Sequence, residues 1–232
     1  MNLPSEIAWR SPVQEPSPVT RPRAAAKNVY DRLSRWYGII EGIWERKARR
    51  LGLALLDVHT GESVLEVASG PGEDLQTLAQ AVQPGGLAVG FDLSTGMLQA
   101  ARQRLASHGL EPILVQGDAV SLPFADRSFE ALFSSFTLEL FDNPDIPLVI
   151  AEFRRVLRPG GRLCVLSLSK KGPDNTMRRL YEWSHRRFPA YIDCRPIYVS
   201  RSLQQGGFEI QKEVNYSLYG LPVEIILANP QH

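Results

Sequence analysis

From Gly61 onward, short apolar runs alternate with stretches whose apolar residues return every three or four positions. The first pattern reads as strand and the second as amphipathic helix. Strands are expected at Ser63–Val67, Leu87–Phe91, Ile113–Gln116, Ala131–Ser134 and Arg162–Leu168. Helices are expected at Glu73–Val82, Thr95–Ser107 and Ile146–Leu157. Strands separated by helices pair in parallel through right-handed crossovers. A helix at Ser200–Gln205 ends at Gly206-Gly207. Two last strands, Phe208–Val214 and Val223–Ala228, then follow with no long helix between them, which predicts an antiparallel hairpin. The predicted class is α/β, with a seven-stranded, mostly parallel sheet.

Upstream the pattern is different. Residues 1–26 hold prolines at 4, 12, 16, 18 and 22 and no periodicity, which reads as a disordered or extended arm. From Val29 the apolar positions Val29, Leu33, Trp36, Ile40, Ile43 and Leu51 take helical spacing. Gly38 and Gly42 each cost roughly 1 kcal/mol against alanine, so a break is expected near them. Residues 27–232 then form one domain, with helical lid segments at about 27–51 and 170–199. Tyr30, Trp36, Tyr37 and Tyr181 fall in those segments. They either line a flat, greasy substrate or pack the helices onto the core.

Composition allows a sizeable core, with 44% hydrophobic and 22% charged residues. No apolar run is long enough to span a bilayer. No charged start followed by an apolar stretch marks a signal peptide. Two cysteines, Cys164 and Cys194, make no disulfide framework, so a cytoplasmic setting is expected. The net charge of +1 conceals local excesses of +6 over Arg10–Arg50 and +5 over Lys170–Arg201. These are either solvated helical faces or a surface for an anionic partner. The segment Arg32–Arg50 is also amphipathic and Trp-bearing, which allows peripheral membrane contact.

The candidate chemistry centres on VLEVASGPGED, residues 64–74. Ligands of open parallel sheets sit at the carboxyl ends of the strands. The turn has glycines at 70 and 72, but neither frame completes G-x-G-x-x-G, and no Gly-Lys-Ser/Thr follows. Glu73 and Asp74 occupy the first helical turn, where a pyrophosphate would otherwise bind. A nucleoside cofactor without phosphate escapes that repulsion, and S-adenosylmethionine fits, with Glu66 attracting its cationic end. Asp92, 20 residues after Gly72, ends the second strand and can accept both ribose hydroxyls. Asp118, ending the third, can accept from the adenine amine, while Ala119 offers a backbone N–H. Met97 either faces the adenine or fills the core.

With these residues in place, the chain resembles the class I S-adenosylmethionine-dependent methyltransferases. The resemblance rests on VLEVASGPG, VGFDLSTGMLQAAR, QGDAVSLPF, EALFSSFTLEL and RVLRPGGRL, in that order between Tyr30 and Leu168. Within the class it is most similar to the ubiquinone/menaquinone-biosynthesis C-methyltransferases, which share the Tyr30-Asp31 pair and can carry alanine at position 68. Phospholipid N-methyltransferases look alike in these motifs. The resemblance implies a Rossmann-like fold with a helical lid. It implies a cofactor pocket lined by Glu66, Ala68, Gly70, Gly72, Asp92, Leu93, Met97, Asp118 and Ala119, with Ser134 and Ser135 near the methyl end.

Acceptor-side candidates are fewer. Glu139, in SSFTLEL, either faces the substrate or caps a loop. His185, in YEWSHRRFPAY, either takes a phenolic proton or lies on an arginine-rich surface. No His/Cys/Asp cluster has metal-ligand spacing. The Asn/Asp-Pro-Pro-aromatic run of base-amine methyltransferases is absent after the fourth strand. No stacking platform interleaves the basic segments either, so no nucleic-acid partner is expected. The expected substrate is a small, aromatic or lipophilic molecule. A protein or RNA methyltransferase and a non-catalytic binding module are the alternatives.

Overall fold

The computed structural model describes residues 42–111, 113–171, 195–218 and 220–231. The Pro-rich arm, His185 and the lid residues Tyr30, Trp36, Tyr37 and Tyr181 lie outside them. In chain order come α1 (Gly42–Leu56), β1 (Ser63–Val67), α2 (Glu73–Ala81), β2 (Leu87–Asp92), α3 (Thr95–Ala106) and β3 (Ile113–Gln116). Next are β4 (Phe129–Ser135), a 3-10 turn (Leu138–Leu140), α4 (Ile146–Val156) and β5 (Leu157–Leu168). The hairpin follows α5 (Val199–Gln205) as β6 (Phe208–Leu218) and β7 (Leu221–Pro230).

The seven strands form one sheet in the order β3-β2-β1-β4-β5-β7-β6. β1 pairs in parallel with both β2 and β4, so strand order reverses at β1. β7 runs antiparallel to both β5 and β6. The predicted class stands: mostly parallel, with an antiparallel pair at the C-terminus.

Alternation along β1 explains the layers. Val64 packs into a cluster with Ala48, Leu56, Leu75, Leu78, Ala101 and Leu105, contributed by α1, α2 and α3. Leu65 and Val67 point to the other face, among Val149, Ile150, Phe153, Val199 and Leu203 of α4 and α5. A strand buried on both faces needs apolar residues at nearly every position, and Glu66 is the exception. Helix α4 buries Ile146, Val149, Ile150, Phe153 and Val156, the spacing of one helical face.

Of the boundaries that differ from expectation, two change the layers. Helix α4 stops at Val156 because Leu157 already pairs with Phe129, and the ladder resumes at Ala131 and Arg162 after a register shift. A turn-rich stretch containing Gly160 and Gly161 is thereby absorbed into β5. Residues 42–51, the end of the first expected lid segment, lie in α1 and belong to the sheet's helical layer. Gly52 there is so close to the sheet that a Cβ would meet Leu166 at 2.4 Å.

Candidate active site

The switch between β2-β1 and β4-β5 gathers most of the expected cofactor residues. The turn after β1 winds through left-handed backbone at Ala68 (φ 59°), Gly70 (φ 52°) and Gly72 (φ 79°). This conformation lets the chain reverse sharply and send its amides toward the sheet's carboxyl edge. A Cβ built on Gly70 meets nothing within 4 Å, so open space faces the turn there. At Gly72 the constraint is packing, since a Cβ would lie 2.9 Å from that of Ala101 on α3.

Asp92 locks the turn to β2. Its Oδ2 accepts from Gly70 N at 2.8 Å, and its Oδ1 accepts from Ser94 N at 2.8 Å. Ser94 then caps α3 by accepting from Met97 N at 3.1 Å. Met97 itself is buried on that first turn. The Leu93 carbonyl accepts from Gln116 Nε2, and the Asp92 carbonyl from Gly117 N. The ends of β2 and β3 are thus joined. Beyond β3, Asp118 Oδ1 accepts from Val120 N at 3.2 Å, and Ala119 is buried.

Beneath the turn the polarity is unusual. Glu66 is 2% exposed, and its Oε2 has no hydrogen-bond partner. Burial holds its pKa well above the usual carboxylate range; Asp74 and Asp92 push the same way and Arg49 pulls it back. Ser69 Oγ and Ser134 Oγ are also buried and without partners. Orphaned buried polar atoms call for an explanation. Here three of them cluster by element at the end of β1 and β4, where the open space over Gly70 lies. Those residues fit a ligand with polar and cationic groups and no phosphate.

The structure corrects one part of the electrostatic argument. Glu73 does not face a ligand unaccompanied. Arg46, Arg49 and Arg104 approach its carboxylate at 3.5, 3.3 and 3.3 Å. Arg104 also donates to the Pro71 carbonyl. The charge of Glu73 thus ties α1 and α3 to the turn. Asp74 is buried and pairs with Arg49 at 3.7 Å. Burial raises its pKa to about 6 against the pull of Arg49. The carboxylates left to oppose a polyphosphate are Asp92 and Asp74, while Glu66 is held toward its neutral form.

Glu139 stands in the 3-10 turn after β4 with no exposure. Its oxygens accept from Ser167 Oγ at 2.7 Å and Leu168 N at 3.1 Å, joining the ends of β4 and β5. Burial raises its pKa to about 7, against the pull of the Ser167 bond. Cys164 is an inert core residue whose thiol burial pushes up to about 12. Arg49 was not legible at this site, because only the tertiary fold brings it from α1 to the turn.

A family described as a methyltransferase domain matches residues 64–161. A ubiquinone/menaquinone biosynthesis C-methyltransferase of Hahella chejuensis is 35% identical over 159 residues, 66% of this chain and 63% of that protein. A demethylmenaquinone methyltransferase of Symbiobacterium thermophilum is 29% identical over 218 residues, 86% of this chain and 85% of its own length. In these stretches the chain is similar to S-adenosylmethionine-dependent methyltransferases, and residues 64–161 match their domain. The fold likeness extends to a [4+2]-cyclase, with a TM-score of 0.71 at 19% identity, covering 93% of this chain and 99% of that one. That likeness concerns the fold alone. The match to the Hahella protein spans 63% of that protein's length, so both activity and acceptor are argued from the site.

Proposed function

We propose that this chain is an S-adenosylmethionine-dependent methyltransferase acting on a small, lipophilic, quinone-precursor-like ring. The observation that carries the reading is its likeness to the quinone-biosynthesis C-methyltransferases. Two further features support it. The stretch after the fourth strand lacks the Asn/Asp-Pro-Pro-aromatic run of base-amine methyltransferases. The sheet's acceptor edge is lined by buried side chains, Glu139 and Ser167 among them.

S-adenosylmethionine, when bound, supplies an electrophilic methyl group on a sulfonium sulfur. The chain's residues hold and orient. Asp92 positions the Gly70 turn and carries acceptor lone pairs for the ribose hydroxyls. Glu66 offers an unpaired carboxylate oxygen to the cationic end. Ser134 brings its unpaired hydroxyl to the end of β4. Leu93, Met97, Asp118 and Ala119 line the adenine side. Fixing donor and acceptor in line supplies much of the rate of such a displacement. A proton has to be removed only where the acceptor requires it, and His185 and Glu139 are the groups proposed for that step.

The test is transfer of labelled methyl from S-adenosylmethionine into a fractionated cell extract. Label in the organic phase supports the reading, and a phospholipid product within that phase moves it to an N-methyltransferase. Label in protein or RNA, or in nothing, overturns it.

A further inference from the structure

Arg195 is among the largest fully buried side chains of the described residues, at 1% exposure. Its Nη2 donates to the Phe141 carbonyl at 2.6 Å. Its Nε and Nη1 are sealed from solvent and have no hydrogen-bond partner. Guanidinium stays charged at any working pH and has only donors to offer. Leaving such donors buried and unmet is costly, and a native protein keeps them for a reason.

The backbone fixes where those donors stand. Ile197 forms a parallel bridge with Ser169, its N–H donating to the Leu168 carbonyl at 3.0 Å. Lys170 N donates back to the Ile197 carbonyl at 2.9 Å. Arg195 therefore sits at the carboxyl end of β5, beside the loop that follows β4. In the strand order β2-β1-β4-β5 it lies across the Gly70 turn from Asp92. That is the flank opposite the proposed ribose site. Two carboxylates face it, Asp142 and Glu139. Neither meets Nε or Nη1. Glu139 is committed to Ser167 and Leu168. With a pKa raised to about 7, it supplies only part of a counter-charge near neutral pH.

We propose that Arg195 anchors the acceptor, with Nε and Nη1 donating to an ionised ring hydroxyl, a phenolate or enolate oxygen. This rests on the small-molecule reading above and narrows it to an acidic hydroxyl on the ring. Hydrogen bonds from a cation to an anion are about twice as strong as neutral ones. An acceptor held as its anion is already in its nucleophilic form, so no side chain has to take its hydroxyl proton.

The probes are lawsone, a naphthoquinone whose hydroxyl is ionised at neutral pH, and unsubstituted naphthoquinone. Binding is measured on the full chain saturated with S-adenosylhomocysteine. The wild type is expected to prefer lawsone by about tenfold or more. Arg195→Gln should cut that preference to about threefold or less while S-adenosylhomocysteine affinity stays within about twofold. Arg195→Lys should fall between them. Wild-type preference retained in both variants overturns the proposal. Equal binding of the two probes by the wild type overturns it while the small-molecule reading stands, and binding of neither overturns both. Should the variants fail to fold, the wild type decides. Its preference must collapse as pH falls through the hydroxyl's own pKa, and a flat profile overturns the proposal.

Discussion

The backbone N–H of Gly70 donates to Oδ2 of Asp92 at 2.8 Å, so the carboxylate proposed for the ribose also holds the glycine turn in place. Its other oxygen accepts from Ser94 N, which starts the cap of α3. Asp92→Ala removes both backbone anchors together with the ribose acceptor. Hydrogen bonds to a charged group are worth about 1.5–3 kcal/mol, so cofactor affinity should fall at least about tenfold to a hundredfold. Asp92→Asn should retain part of it. Titration with S-adenosylhomocysteine measures both, and unchanged affinity in Asp92→Ala contradicts the assignment.

Gly70 combines a left-handed φ of 52° with open space where a Cβ would point. Gly70→Val places a branched side chain in that space and adds about 1–2 kcal/mol of backbone strain. The variant should fold with a lowered melting temperature and lose measurable cofactor binding. Gly70→Ala should lie between. A valine variant that binds normally shows that the space over the turn is not the cofactor's.

Glu139 offers a pH test. Its folded pKa of about 7 lies above the ordinary 4.5, so the fold favours the protonated form. Between those values the native state holds a proton that the unfolded state has released, and stability falls as pH rises. The stability is fully present below about 4.5 and is lost as pH rises through 7. Glu139→Gln should flatten that part of the curve, making the variant gain on the wild type from pH 5 to 8. Glu62 and Glu152, held down by Arg162 and Arg155, act with the opposite sign in both proteins and cancel in the comparison. Denaturant melts at a series of pH values read the difference, and a difference independent of pH contradicts it.

Glu66 and Glu73 should respond differently. Glu66 is buried with a free oxygen and favours its proton, so a cation beside it should drive ionisation and release that proton. Cofactor affinity should then rise with pH, and Glu66→Gln should abolish the rise. Calorimetry in buffers of different ionisation enthalpy counts the protons. Glu73 is held among Arg46, Arg49 and Arg104. Glu73→Gln should lower the melting temperature and change cofactor affinity by less than about threefold. Equal losses of affinity in both variants contradict this division.

Much of the architecture was legible because strands buried on both faces leave nearly continuous apolar runs. β1 and β3 match their expected bounds, and the hairpin falls where no helix intervenes. The start of β5 was not legible, since Arg158-Pro159-Gly160-Gly161 reads as a turn and becomes strand only because Leu157 finds Phe129. At the site, Asp92 was legible from its spacing after the glycines. Its bond to Gly70 was not, nor were the arginines around Glu73, because pairs more than 20 residues apart leave no local signature. Arg195 had no motif to mark it. Its unmet donors exist only once Ile197 is laid along Ser169.

Titration calorimetry of the purified chain with S-adenosylmethionine and with a nicotinamide dinucleotide decides whether the pocket takes a sulfonium nucleoside. Saturable binding of the sulfonium and no heat from the dinucleotide are expected, because Asp92 and Asp74 oppose its pyrophosphate and the buried Glu66 gains charge only beside a cation. Tight uptake of the dinucleotide with indifference to the sulfonium would contradict that expectation.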